Sequence, residues 1–255
     1  MPTPIPLQDA VVYGPIRSRR LGSSLGINIL PLTRKVCSSN CVYCQYGWTQ
    51  ANGSTEPLKR APELLAEIAA AFERHAAAKT RVDSITLAGN GEPTLHPDLD
   101  AVVIGLKRLR DDYFPGAPVG ILTDATQLPR PHVRRALERL DARYLKFDAA
   151  DEATWRRVNE PLIRLSFEEW LRSLRSMPHI VLQSLFMQGT YDNTDTAHVD
   201  RWIKEVQLIQ PLSVQVYTVD RPTAANGITA VSREQLQAIA EQLTARTGIS
   251  AEVFD

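Results

Sequence analysis

The three cysteines of the chain, Cys37, Cys41 and Cys44, fall within eight residues of one another in a sequence of 255. An odd number packed this tightly is not the disulfide framework that staples small secreted domains. Thiolates so close along one loop can converge on a metal, and the rest of the fold must then close around that loop. Four readings compete. Chance burial would scatter cysteines along the chain. A redox pair Cys41-Val42-Tyr43-Cys44 is possible but has no use for Cys37. A structural zinc site, as in a zinc- or cluster-bearing binding module, wants a fourth ligand. None of the five histidines stands at a finger-like spacing, although His96 could reach the loop through the fold. An iron–sulfur cluster held by three thiolates, with one iron open to an external ligand, uses all three residues and needs no fourth.

Composition narrows the setting. Hydrophobic residues make up 44% of the chain, and 29 Lys and Arg balance 29 Asp and Glu. That supports a full globular core, and zero net charge argues against a broad basic face, so nucleic acid is not an expected partner. The apolar runs Ile68 to Phe72 and Ala101 to Ile104 are far too short to span a membrane. Residues 1–10, MPTPIPLQDA, carry three prolines and no basic stretch, so they read as a leader arm and not as a signal peptide. The expectation is a soluble, cytoplasmic protein.

Strand and helix signals alternate. Strands are expected at 26–30, 82–87, 117–122, 144–147, 179–187 and 212–219. Helices are expected over 62–77, 97–110 and 130–140, from Ser166 through Leu174, around Val199 to Val206, and from Ser232 to a C-cap at Gly248. Ser166 with Glu169 and Ser232 with Gln235 are capping-box signatures. Six such units argue an α/β fold, a partial (β/α)6 TIM-like barrel with a parallel sheet and helices outside. It reads as a single domain over 1–255, with an N-terminal arm at 1–25 and a core barrel at about 26–245.

Cys37-Ser-Ser-Asn-Cys41-Val-Tyr43-Cys44 resembles the C-x3-C-x2-C loop of the radical S-adenosylmethionine (radical SAM) superfamily, including the aromatic residue before the last cysteine. The resemblance implies that the thiolates hold three irons of one 4Fe–4S cluster, with SAM on the fourth through its amino and carboxylate groups. One electron then breaks a sulfur–carbon bond of SAM and leaves a 5′-deoxyadenosyl radical. Gly89-Asn90-Gly91-Glu92-Pro93-Thr94 looks like the GGE motif that receives the SAM amino group, with Asn90 in place of the first glycine. The string GNGEPTLHP is similar to that of the wyosine-type Fe–S oxidoreductases, as are VYTVDRP at 216–222 and the Tyr13 to Gly26 segment.

On a parallel barrel the chemistry gathers at the C-terminal ends of the strands. Asp124, after the third strand, could meet a ribose hydroxyl or a substrate cation, or hold its own turn. Lys146-Phe-Asp148-Ala149 resembles a SAM-contacting pattern, while the plainer reading pairs Lys146 with Asp148 or Glu92. Gln183 is expected in the lumen by resemblance to a fifth-strand polar contact. Asp220 and Arg221 read as a solvated loop. Arg17, Arg19 and Arg20 could bind a phosphate or carboxylate group, or form a solvated charge cluster. The histidines look structural.

Three cysteines leave none for a second cluster or for donating a hydrogen atom, so Tyr217 or Tyr191 remains as a hydrogen donor. The resulting expectation is hydrogen abstraction from a small organic substrate, fed by a flavodoxin- or ferredoxin-type electron donor. A protein substrate, as for a glycyl-radical-enzyme activase, and transfer of an aminocarboxypropyl group from SAM are the alternatives.

Overall fold

Strands and helices alternate along the computed structural model, which describes residues 3–50 and 56–255. A hairpin opens it, β1 (Val12–Ser18) antiparallel to β2 (Gly22–Ile27). Then follow α1 (Ala61–Ala77), β3 (Ser84–Leu87), a single 3-10 turn at Pro93–Leu95, α2 (Leu99–Tyr113), β4 (Val119–Thr123), α3 (Pro131–Glu138) and β5 (Ala142–Lys146). Two helices come next, α4 (Glu152–Val158) and α5 (Phe167–Arg175), before β6 (Val181–Leu185), the short β7 (Gln188–Gly189) and α6 (Thr196–Ile209). The chain continues through β8 (Ser213–Tyr217), β9 (Ile228–Thr229), α7 (Arg233–Thr247) and β10 (Ala251–Phe254).

One sheet runs β1-β2-β3-β4-β5-β6-β8-β10, parallel throughout except for β1, and curls into an open half-barrel. Alternation along each strand divides the residues between two environments. Leu25, Ile27, Ile85, Leu87, Val119, Ile121, Leu145, Leu182, Val214 and Val216 are buried on the outer face beneath the helices. Each such side chain contributes about 1.5–3 kcal/mol through burial. The inner face is polar: Ser24 Oγ meets Thr86 Oγ1 at 3.0 Å, and Gln183 Nε2 donates to Gln215 Oε1 at 2.7 Å.

Local chemistry explains the helix boundaries. Ser166 Oγ accepts from the Glu169 N–H and Ser232 Oγ from the Gln235 N–H, each at 3.2 Å, as their spacing predicted. Gly248 terminates α7 at φ +73°, a left-handed turn that favours glycine.

Three features depart from the sequence reading. The first strand ends at Ile27 and does not continue to residue 30, because Asn28 Oδ1 accepts from the backbone N–H groups of Leu30 and Asn90. Residues 12–25, expected as an arm, supply β1 and most of β2, with a bulge at Gly14-Pro15 that disguises the strand. Beyond residue 245, β10 adds a further parallel strand against β8. Among the described residues no helix is long and apolar enough to cross a membrane.

Candidate active site

The cysteine loop is stitched to the barrel mouth on three sides. One residue before Cys37, the Val36 N–H donates to Asn90 O and Val36 O accepts from the Glu92 N–H, both at 2.9 Å. This parallel bridge is tight enough to require Gly91, where an added Cβ would stand 1.7 Å from Val36 O. Asn40 and Val42 donate from their backbone N–H groups to Glu160 O and Val158 O, and Leu162 donates to Ser38 O. The Ala225 N–H donates to Val42 O at 2.8 Å. Val42 itself is fully buried in a small second core with Val158, Leu185, Met187, Tyr217 and Ala225. The loop is therefore held before any ligand arrives.

Around the thiols the polar contacts are specific. All three cysteines are free and half-buried. Lys35 Nζ stands 3.3 Å from Cys44 Sγ and donates to Gly47 O at 2.7 Å. Asn159 Nδ2 stands 3.5 Å from Cys41 Sγ. Burial pushes the Cys41 thiol up to about 11 and raises Cys37 as well, so both are neutral without a metal. Metal coordination deprotonates such a thiol outright. Among the described residues no three His, Cys, Asp or Glu side chains converge on a point that would hold a single metal ion. His96 offers no fourth ligand. Its Nδ1 accepts from the Asp98 N–H and its Nε2 donates to Lys59 O. Three separate thiols with hydrogen-bond donors behind two of them fit a cluster whose irons sit at different corners, each taking one sulfur.

Glu92 lies beside this loop, almost wholly buried. Its carboxylate accepts from Thr94 N–H (3.0 Å), Thr123 Oγ1 (2.7 Å) and Asp124 N–H (2.7 Å). Burial, reinforced by Asp124, pushes Glu92 up to about 8. Asp124 in turn accepts from Ser38 Oγ (2.8 Å) and Ser39 Oγ (2.7 Å), and from the Thr126 N–H of its own turn. It thus ties the end of β4 to the cysteine loop.

A second network joins β5 to the same loop. Asp148 accepts from the Leu185 N–H and Asn159 Nδ2, both at 2.9 Å, and from the Tyr43 hydroxyl. Lys146 pairs with Asp148 at 3.7 Å, lies 4.5 Å from the Tyr43 ring centroid and donates to the Tyr217 hydroxyl. The plainer reading of Lys146 is present; among the described residues it forms no ion pair with Glu92. Its partners raise the Lys146 ammonium above its usual range despite burial. A narrow crevice lies between the networks, lined by Ser39, Asp124, Lys146, Asp148 and Asn159 among others.

The fold brings Tyr43, Gly91, Glu92, Asp124, Lys146 and Asp148 together around the three cysteines. The Asn90 side chain is spent elsewhere, bonding Gln8 N–H, Gln8 O and Pro31 O. Gln183 faces the lumen, paired with Gln215. Tyr217 is buried in the lumen, whereas Tyr191 lies at the edge of the second core. Asp220 and Arg221 do not act as a pair: Asp220 meets Arg19 at 3.3 Å, and Arg221 donates to Gln45 Oε1 at 2.9 Å. Sequence reasoning missed Lys35, Ser38, Ser39 and Asn159. The first three flank or sit inside the cysteine motif. Asn159 caps α4, a helix too short to show periodicity.

Comparison with known proteins agrees with this geometry. The model of the radical SAM superfamily matches residues 33–208. A UPF0026 protein of Synechocystis sp. is 31% identical over 217 residues, 83% of this chain and 76% of that protein. A Brachyspira hyodysenteriae protein named GTPase Obg is 29% identical over 254 residues, 97% of this chain but only 35% of its own length. The chain thus spans about a third of that relative. Among solved structures, a radical SAM methyltransferase from Sphaerobacter thermophilus superposes with a TM-score of 0.66 at 17% identity, over 91% of this chain and 65% of that one. TYW1 with a lysine–pyruvate adduct bound gives 0.62 at 14% identity, over 88% and 74%. At these identities the likeness is one of fold. Family model, half-barrel and cysteine loop agree: this chain belongs to the radical SAM superfamily, a family whose enzymes use a 4Fe–4S cluster and SAM.

Proposed function

We propose that this enzyme cleaves SAM reductively and uses the resulting radical to take a hydrogen atom from a small organic substrate. The observation that carries the reading is the convergence of the cysteine loop with Glu92, Asp124, Lys146 and Asp148 at the C-terminal mouth of β3, β4 and β5. When bound, the cluster would supply the single electron that reductive cleavage of SAM requires. Cys37, Cys41 and Cys44 would hold three of the irons. Glu92 and the backbone at Asn90 and Gly91 would take the SAM ammonium, with Tyr43, Asp124, Lys146, Asp148 and Gln183 bordering the rest of the cofactor. Tyr217, its hydroxyl against Lys146 in the lumen, is the candidate to give a hydrogen atom to the substrate radical, the tyrosyl radical left behind then taking one electron from the external donor and a proton from solvent. The electron would come from a flavodoxin- or ferredoxin-type donor.

The test is direct: reconstitute the cluster anaerobically, reduce it, add SAM and identify the nucleoside by mass spectrometry. Slow release of 5′-deoxyadenosine is expected. Methylthioadenosine would replace the reading with transfer of an aminocarboxypropyl group, and failure to assemble a cluster would sink it.

Glu92 provides a second check on the ligand-free protein. Its folded pKa lies above the unfolded value of 4.5, so the neutral form stabilises the fold at acid pH. That stability drains away as pH rises from about 4.5 through about 8, on the order of 5 kcal/mol in all. Urea denaturation of wild type and Glu92→Gln across this range should show wild type losing ground steadily to the variant. A pH-independent difference would mean that Glu92 is ionised in the fold throughout.

A further inference from the structure

The turn joining β1 to β2 sends its two adjacent arginines to different places. Arg19 reaches across the open side of the half-barrel to Asp220 and to the backbone carbonyl of Asp255. Arg20 lies over the Tyr217 ring, with its guanidinium carbon 4.2 Å from the centroid. Tyr217 is a lumen residue, and Lys146 sits over the same ring at 5.0 Å while donating to its hydroxyl. Arg20 is therefore an inner-face residue, held over the ring by the cation–π contact that guanidinium groups favour.

Its charge is unanswered. Arg20 Nη1 is buried and has no hydrogen-bond partner, and among the described residues no carboxylate pairs with the guanidinium. The carboxylates on the inner face do not answer it: Asp148 already serves Lys146, Asn159, Tyr43 and the Leu185 N–H, and Glu252, set beside Gln215 by the β8–β10 register, forms no ion pair with Arg20 among the described residues. The other inner-face groups, Gln183, Gln215 and Tyr144, bring no negative charge. Two cations share one tyrosine ring, and the ion pair with Asp148 belongs to Lys146 alone. A buried guanidinium edge without an acceptor is costly, and a fold retains it where a ligand supplies the acceptor. Its planar fork suits the paired oxygens of a carboxylate or phosphate.

We propose that Arg20, laid on Tyr217 beside Lys146, holds a carboxylate or phosphate group of the substrate, so that the enzyme acts on a small anionic molecule in the half-barrel lumen. The assignment rests on the radical SAM reading above and adds the substrate's chemical class. It uses a group that makes no contact with the cysteine loop, Glu92 or Asp124.

The experiment is calorimetric titration of the reconstituted protein, already saturated with SAM, with malonate in one arm and inorganic phosphate in the other. At least one arm should bind the wild type. Arg20→Gln should weaken that binding by about tenfold or more, and Arg20→Lys should restore part of it. Arg17→Gln, an exposed arginine on the same hairpin, should change nothing. Binding of malonate alone assigns a carboxylate substrate, and of phosphate alone a phosphorylated one. The proposal is overturned if neither anion binds wild type, or if both Arg20 variants bind as wild type does. An equal loss of SAM binding in Arg20→Gln also overturns it, because Arg20 would then serve SAM or the fold. Should Arg20→Gln fail to fold, Arg20→Lys alone decides between a weakened and an unchanged affinity. Failure of wild type to release 5′-deoxyadenosine is a separate result, and strikes the underlying reading instead.

Discussion

Cys41→Ala protein, reconstituted under anaerobic conditions, is expected to return with iron and acid-labile sulfide at background and to release no 5′-deoxyadenosine. The size of the effect follows from the donor set. Only three cysteines exist in the chain, and His96, the histidine that the sequence left open as a substitute, has both ring nitrogens committed to backbone. Two thiolates cannot hold three irons. The fold should survive, because the loop is anchored by the backbone bonds of Val42 and by its buried side chain, not by the neighbouring thiol. Replacing one half-buried thiol by a methyl group costs about 1 kcal/mol. Iron analysis beside a urea unfolding curve therefore separates the two roles. A variant that keeps its cluster would remove Cys41 from the ligand set, and one that loses its fold would make the thiol structural.

How much of this was legible beforehand depends on the kind of signal. The outer face of the sheet announces itself, since Ile85 and Leu87, and Val119 and Ile121, are alternate apolar positions in short segments between recognisable helices. Helix ends marked by Ser166, Ser232 and Gly248 were legible because each uses local side-chain or backbone chemistry. The hairpin of β1 and β2 was not, because its strand carries a Gly-Pro bulge and half its residues face water. Within the site, the motif residues could be named from sequence, but their partners could not. Asn159 lies 118 positions from Cys41, and no pattern in either neighbourhood predicts that they meet. Asn90 teaches the opposite lesson. Its place in the glycine-rich motif suggests cofactor binding, yet its amide pins Gln8 and Pro31 against the loop. A side chain inside a motif can be spent on holding the loop.

Gly91→Ala should be nearly as damaging as loss of a ligand, and for a different reason. At φ +140° the backbone occupies a region that residues with a Cβ rarely adopt. The added methyl would stand 1.7 Å from Val36 O and 2.4 Å from its carbonyl carbon. Those are backbone atoms, so no side chain can rotate away, and the bridge between Val36 and Gly91 must open. Strain and overpacking together are worth about 2–5 kcal/mol. Opening the bridge frees the residue next to Cys37 and loosens the Glu92 N–H that Val36 O receives. The variant should show a much lower urea midpoint together with loss of iron, whereas Cys41→Ala should lose its iron at a cost of only about 1 kcal/mol in stability. Gly116→Ala is the control: nothing lies within 4 Å of its added Cβ, and it should stay within about 0.5 kcal/mol of wild type. If Gly91→Ala retains both its iron and its midpoint, the Val36 bridge does not set the position of the cysteine loop. The burden would then fall on the contacts of Val42 with Val158 and Ala225. If it unfolds less than the strain predicts yet still loses iron, the bridge serves the metal centre more than the fold, which is what its place one residue ahead of Cys37 implies.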